Sequence, residues 1–414
     1  MTTKKAIKDL KAFELITYKG AVVALTYVCS TYLAGIDENG TYRHINMFEE
    51  EVEVYDGLPK EAHWRALFRT RGGGVHIGSD PEFLFEDDDG TLLPSYDVLP
   101  EQKKALSGGS RLLSGGHSVK VYNDGWQGEM SPAATHCISY HVDFIRDGLR
   151  QAQSELVERN KGARISVRSV LDVDLSRLEA SPEHAKFGCT PSLNAYNDFG
   201  QDVPGQFVPF RMAGGHIHFS TTSNKHAPWE SIVKFLDATI GVLSVAMFDG
   251  LDDPRRRVLY GRAGEYRTPP HGLEYRTLSN AWLIHPVFAH LTLGMARAAF
   301  CLALYRPEVT WVDDATVRRV INDCDAALAR RVIADNEGVY KALVSVAADG
   351  PEDILKALYS IITTTGLGAT LSDRHSIDRA WGLSADNWVY HSEGRNCSLA
   401  KADLKDGKLG LLTT

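Results

Sequence analysis

Cysteine is scarce in this 414-residue chain: Cys29, Cys137, Cys189, Cys301, Cys324 and Cys397, with no CxxC pair and no zinc spacing. That excludes a disulfide scaffold or a cysteine-built zinc module, and it fits free thiols in a reducing, cytoplasmic compartment. No stretch reaches the ~18 uncharged apolar residues of a membrane span. The richest, Trp282 to Leu304, is interrupted by His285, Pro286, His290 and Arg297, and reads as a core helix. The apolar run from Ala21 to Leu33 follows a long charged lead and is rich in Val, Thr and Tyr, so a strand pair is expected rather than a signal peptide. Basic residues are not in excess. The net charge of -8 speaks against a general nucleic-acid binder, and no membrane partner is expected. No P-loop, dinucleotide glycine motif, internal repeat or long low-complexity region occurs.

What remains is ordinary for a soluble globular protein, at 43% hydrophobic and 24% charged residues. The length implies two or three domains. Residues 1–73 alternate short apolar runs with turn signals such as Asp37-Glu38-Asn39-Gly40 and read as a small α+β unit. Residues 74–306 carry the polar motifs. Residues 307–414 read as a helical region without legible chemistry, with Val317, Val320, Ile321, Ala327 and Ile333 on one amphipathic segment and Ile354, Leu358 and Ile361 on another.

The polar motifs begin at Gly78-Ser79-Asp80-Pro81-Glu82-Phe83. Residues two apart on a strand share a face, so Asp80 and Glu82 project together. Their mutual repulsion is relieved by a hard divalent cation; the alternative is a solvated strand start. Pro81 cannot donate to a ladder, which predicts a strand end or edge. Before this strand, Gly72-Gly73-Gly74 offers backbone N–H groups to a phosphate or a flexible entry. Asp87-Asp88-Asp89-Gly90 reads as a hairpin turn. The doubled Ser-Gly-Gly at 107–118 reads as a mobile loop or linker.

Ser131-Pro132 predicts a helix start, which would put Glu129 at a strand-to-helix junction. A strand is expected from Ile165 to Val170, and a helix from Trp229 to about Phe248. His216 and His218, two apart after paired glycines, share a strand face, as ligands or as satisfied core histidines. Arg255-Arg256-Arg257 reads as a solvated run, or as a source of one arginine for a nucleotide. Farther on, Arg262 and Arg267 precede a Pro269-Pro270-His271-Gly272 turn, and Glu274 and Arg276 share one face of the strand after it. Arginine forks suit phosphate and carboxylate oxygens, or simple ion pairs. Taken together, the i, i+2 pairs predict one antiparallel sheet bringing acids, imidazoles and guanidiniums to a shared face, which suits a metal–triphosphate.

In this order the motifs resemble those of the glutamine-synthetase-like carboxylate–amine ligases, and most of all the phage-type amidoligases described as COOH·NH2 ligases of type 2. Asp80-Pro81-Glu82-Phe83 is similar to the acid-Pro-Glu-Phe strand, Gln127-Gly128-Glu129 to the Gly-Gln-x-Glu element, and Gly215-His216-Ile217-His218 to the Gly-x-His-x-His strand. Arg262, Arg267 and Glu274-x-Arg276 resemble the paired arginines and the Glu-x-Arg strand. The resemblance spans about residues 74 to 300. It implies an α+β fold: a curved antiparallel sheet of glutamine-synthetase type, helices on its outer face, with the small N-terminal unit and the helical C-terminal region appended.

The resemblance also implies an ATP- and Mg²⁺-dependent ligase that makes an amide or isopeptide bond through an acyl phosphate, with two or more ions and Mn²⁺ as an alternative. Asp80, His216 and Glu274 would hold one ion, and Glu82 and Glu129 a second. His218 would approach the phosphates, with Arg262, Arg267 and Arg276 on the γ-phosphate and substrate carboxylate. One departure stands out. The family has a further Glu where Val121 lies here, and Asp124 replaces it only if the loop is shortened. Substrates would be a small-molecule or peptide carboxylate and an amine, in the host cytoplasm if the gene is a phage's; an oligomer is compatible with the sequence. The rival readings are a guanidino-kinase-like phosphotransferase on the same sheet, a metallohydrolase using His216-x-His218, and a non-catalytic binding protein that keeps the sheet.

Overall fold

Period-two alternation sorts much of the chain into antiparallel sheets. The computed structural model describes residues 3–29, 32–45, 51–55, 57–69, 75–102, 104, 107–108, 119–160, 162–180, 192–200, 207–220, 227–348, 359–360, 362–364, 366, 377–383, 404–405 and 408–409. The triglycine run at 72–74, residues 109–118, the loop at 188–191 and positions Ile354, Leu358 and Ile361 lie outside them.

The N-terminal strands β1 (Thr3–Ala6), β2 (Leu15–Tyr18), β3 (Ala21–Val28), β4 (Leu33–Asp37), β5 (Tyr42–Ile45) and β6 (Glu51–Val54) form a six-stranded sheet ordered β1-β6-β2-β3-β4-β5. The Asp37–Gly40 turn joins β4 to β5 as expected, with Gly40 at φ 81°. Ile7, Leu10, Ile16, Val23, Leu25 and Leu33 make this sheet a core of its own. The helix Glu61–Arg69 buries Trp64, Leu67 and Phe68 instead in the main core.

The second sheet has ten strands. Its path runs from β14 (Leu193–Asn194) through β17 (Glu265–Arg267), β18 (Gly272–Tyr275), β16 (Gly215–Ser220), β7 (His76–Glu86), β11 (Gln127–Pro132) and β10 (Val119–Asp124) to β9 (Ser107–Gly108). Strands β8 (Leu92–Leu93) and β12 (Arg164–Ser166) pair with the far end of β7. Beside it, β13 (Val170–Asp172) pairs with β15 (Phe210–Met212). The expected strand at Ile165 to Val170 is therefore two short strands that serve different sheets.

One face of the large sheet is apolar. Ile77, Phe83, Val121, Met130, Ile217, Phe219, Leu273 and Tyr275 are all fully buried on it, and the helices Ile138–Arg159 and Pro286–Ala303 pack there. Each such side chain withdrawn from water contributes about 1.5–3 kcal/mol, so the face of opposite parity is free to carry charge. Pro286–Ala303 is, among the described residues, the one helix long and apolar enough to cross a membrane, but 94% of it is buried in the protein. It is a core helix, as the sequence suggested. It starts later than expected, because His285 caps it by accepting the Val287 N–H at 3.1 Å, and Asn280–Ile284 is a separate 3-10 turn.

Several other boundaries differ from expectation. Strand β7 is central, and Pro81 sits in its middle rather than at an end or edge. Proline is tolerated because the ladder between β7 and β11 covers only Glu82 and Phe83, so the missing N–H falls where that pairing stops. On the other side Glu82 donates its N–H to Gly214 O at 2.9 Å. Ser131-Pro132 closes β11 and starts no helix; the helix begins at Ile138, where Thr135 Oγ1 accepts the Cys137 N–H. Glu129 is thus in mid-strand. The Trp229 helix runs as Trp229–Leu236, a π-turn Asp237–Gly241, and Val242–Met247. The segment from Val317 to Ile333 is two helices, Asp314–Asn322 and Ala326–Asp335, broken at Cys324 with φ 49°, and the shift of phase leaves Ala327 exposed.

Candidate active site on the polar sheet face

The polar face is built by register. Residues directly opposite on antiparallel strands point the same way. Tyr122 lies opposite Glu129, and Glu129 opposite Glu82. One step along β7, Asp80 lies opposite His216. His218 lies opposite Glu274, and Glu274 opposite Arg267. The row Tyr122, Glu129, Glu82, Asp80, His216, His218, Glu274 and Arg267 therefore crosses six strands on one face.

Two groups of ligand atoms stand out in this row. Asp80, His218 and Glu274 each bring one ligand atom to within 4.8 Å of the others, and so do Glu82, Asp124 and Glu129. His218 Nε2 is 3.0 Å from Asp80 Oδ1. His216 Nδ1 is 3.5 Å from the same oxygen and 3.8 Å from Glu274 Oε1, so His216 flanks the group to which His218 belongs, with His218 the nearer to Asp80. Buried His216 Nε2 and Glu274 Oε1 make no hydrogen bond among the described residues. Polar atoms left this way in a protein interior are costly unless something else meets them.

Asp124 enters the second group because β10 and β11 are joined by the two-residue turn Gly125-Trp126, with Gly125 at φ 64°. A turn this short is the condition under which Asp124 would stand in for the further Glu that the resemblance implies. Three carboxylates at this spacing oppose one another. Burial, then the charges of Asp80 and Glu82, push Glu129 well above the usual carboxylate range. Burial, then Glu82, pushes Asp124 up to about 6. In the first group burial would raise Asp80, but the imidazoles of His218 and His216 outweigh it and lower it. Asp80 in turn outweighs burial at His218 and raises it.

The acids are held from outside the row. Glu82 Oε2 accepts the Gly214 N–H at 2.6 Å and the Tyr260 hydroxyl at 2.7 Å. Glu129 Oε1 accepts the Tyr122 hydroxyl at 2.6 Å. His218 Nδ1 meets His271 Nε2 at 3.1 Å. His271 lies in the Pro269–Gly272 turn noted in the sequence and Tyr260 two residues before Arg262, yet nothing in their spacing gave them a role; Tyr122 became visible only through the register.

The arginines divide. Arg276 Nε is 3.0 Å and Arg267 Nη1 3.5 Å from Glu274 Oε1, and Arg276 also donates to Ser192 Oγ at 2.5 Å. Arg262 instead donates to Asp198 Oδ1 at 2.9 Å and to Arg257 O at 3.1 Å, and Arg318 and Asn322 of the C-terminal helices bind the same Asp198. Arg256 and Arg257, expected in a solvated run, are wholly buried. Arg256 donates to the carbonyls of Thr277 and Leu278 at 3.1 and 2.8 Å; Arg257 donates to those of Gly261 and Thr277 and pairs with Asp252 at 2.5 Å. Together they fix the backbone that follows Arg276.

A serine–histidine pair also exists. Ser79 Oγ lies 2.8 Å from His141 Nε2, and His141 Nδ1 bonds Ala133 O. It points to the apolar side of β7, both residues are buried, and burial lowers His141 to about 4. It is a satisfied core pair, closed to substrate.

With this geometry in place, residues 205–332 match the family model described as Phage phiEco32-like COOH.NH2 ligase-type 2. The match spans 128 of the 414 residues and falls on the family that the sequence resembles. The matched segment takes in His216, His218, Arg262, Arg267, Glu274 and Arg276; Asp80, Glu82 and Glu129 lie before it. Among solved structures, one titled "Apo GmaS without ligand" is similar over 90% of this chain and 87% of its own, at 12% identity and a TM-score of 0.35, a likeness too loose to bear on fold or function. No curated protein matches the chain.

Proposed function

We propose that the protein is an ATP- and Mg²⁺-dependent carboxylate–amine ligase that forms an amide or isopeptide bond through an acyl phosphate, on a sheet of glutamine-synthetase type. The observation that carries this reading is the pair of acid groups set side by side in one row, with Arg267 and Arg276 against Glu274. Their donor set is oxygen with one or two imidazoles, which suits Mg²⁺ or Mn²⁺. Burial and neighbouring carboxylates raise Glu129 and Asp124, and a cation set between Glu82, Asp124 and Glu129 would relieve that crowding.

Asp80, His218 and Glu274, with His216 beside them, would hold one ion, and Glu82, Asp124 and Glu129 another. Bound there, the ions supply neutralisation of the triphosphate's charge. The chain's own part is positioning. Arg276 and Arg267 present guanidinium donors next to Glu274, where phosphoryl oxygens and a substrate carboxylate come together. Arg262 would reach that anion only by giving up Asp198. Tyr260 and Gly214 keep Glu82 pointed into the row. The substrate carboxylate would attack the γ-phosphoryl group, and an amine would then displace phosphate from the acyl phosphate, with no protein nucleophile in either step.

A Mg²⁺–ATP titration on the purified chain tests the binding half, with Glu274→Gln as the control. A screen for ADP release against amino acids and peptides tests the rest. ADP release that requires both a carboxylate and an amine supports the proposal. Release with a guanidino compound alone, or hydrolysis without ATP, replaces it with a phosphotransferase or a hydrolase.

A further inference from the structure

The Pro269-Pro270-His271-Gly272 turn carries an imidazole that the ligase reading does not use. The turn is unusually constrained. Two prolines fix their own φ angles. Gly272 donates its N–H to Pro269 O at 2.9 Å and has φ 146°, and a Cβ there would collide with the Phe219 carbonyl of β16. Only glycine fits, and the tip of the β17–β18 hairpin is thereby pressed onto β16 at the register Ser220 opposite Gly272. The result is that His271, itself exposed, is set against His218, with ring centroids 5.3 Å apart and Nε2 3.1 Å from His218 Nδ1.

His218 has two ring nitrogens with two addresses. Nε2 faces Asp80 Oδ1 at 3.0 Å, inside the first acid group, and Nδ1 faces His271. A ring nitrogen can offer its lone pair to a cation only if the ring's proton sits on the other one. We infer that His271 is a positioning residue for the first cation site: its Nε2 accepts the Nδ1–H of His218, holding the tautomer and ring angle in which His218 Nε2 is a lone-pair donor beside Asp80 and Glu274. The inference rests on the reading of that group as a cation site. In metal centres such an outer hydrogen bond to a ligating histidine is commonly worth 10–100-fold in affinity.

The test is a Mn²⁺ titration of the full chain by calorimetry, on wild type, His271→Ala, His271→Gln and His218→Ala. Long-range ¹H–¹⁵N imidazole spectra report the His218 tautomer. Melting temperatures check that the exposed turn substitutions leave the fold intact. The expected result is about 10–100-fold weaker Mn²⁺ binding in His271→Ala. Most of the affinity should return in His271→Gln, whose amide oxygen accepts the same hydrogen bond, and the wild-type spectrum with diamagnetic Mg²⁺ bound should show the proton on Nδ1. Unchanged affinity in His271→Ala, with His218→Ala still weakened, overturns the role of His271 and leaves the cation site standing. Equal losses in Ala and Gln also overturn it, since packing rather than an acceptor would then matter. Wild type that binds no Mn²⁺ at all fails the ligase reading itself.

Discussion

Glu82 and Glu129 lie directly opposite each other on adjacent strands, two acids in register on a largely buried face. Like charges so placed destabilise a sheet, and Asp124 adds a third acid. Because the folded state raises Glu129 and Asp124, it binds protons more tightly than the unfolded chain. The stability these two groups contribute is therefore greatest in acid and is lost as pH rises through their unfolded values toward the raised folded ones, about 6 for Asp124. Glu129→Gln should raise the melting temperature of ion-free protein at pH 8, by about 2 °C or more, and the gain should shrink at pH 4. Calorimetric scans at the two pH values check it; a lower melting temperature at pH 8 contradicts it.

Divalent cation should reverse that ranking. At a hundredfold excess over its dissociation constant, an ion adds about 2.7 kcal/mol to the folded state. Wild type should then overtake Glu129→Gln in Mg²⁺ or Mn²⁺, and EDTA should restore the first order. Thermal scans with and without ion decide it.

Glu274 receives Arg276 and Arg267 and belongs to the first acid group. Glu274→Gln keeps its shape and removes its charge. ADP release should fall by about 10² or more, and the melting temperature should fall as well because the buried Arg276 loses its carboxylate partner; a coupled ADP assay beside a thermal scan measures both.

Tyr260→Phe removes one hydroxyl from Glu82 and leaves the ring, which lies 4.6 Å from the Arg256 guanidinium. The expected loss is about tenfold in ion affinity, read by Mn²⁺ titration, with the fold preserved.

Arg256→Ala should cost about 3 kcal/mol or more in stability, because it strips buried carbonyls of their donors and leaves a cavity. Arg256→Lys should recover little, since a point-like ammonium cannot reproduce the fork that spans Thr277 and Leu278. Urea unfolding of the two variants measures both numbers.

Much of the candidate site was legible because a strand's two-residue period is visible in a string of letters. Asp80/Glu82, His216/His218 and Glu274/Arg276 announced a shared face, and the hairpins at Asp87–Gly90 and Pro269–Gly272 announced themselves by turn chemistry. What the letters hid was decided across the sheet or through the core. Pro81 suggested an edge, since only the partner strand reveals that its ladder has already ended there. Ser131-Pro132 had the form of a helix start, yet pairing with β10 carries the strand through both residues. Arg256 and Arg257 looked solvated because a sequence does not show which carbonyls will be left without donors. Ala327 fitted a helical stripe until the left-handed Cys324 broke the helix and turned it outward.

The row of acids and imidazoles joins β10, β11 and β7 to β16, β18 and β17, two groups of strands separated by more than eighty positions along the chain. No fragment of the polypeptide carries this row by itself. Contacts so distant in sequence close late in folding, so cation capture would arrive as a final event. A manganese signal would then serve as a reporter of completed assembly, silent in nascent or nicked chains whose individual hairpins are already formed.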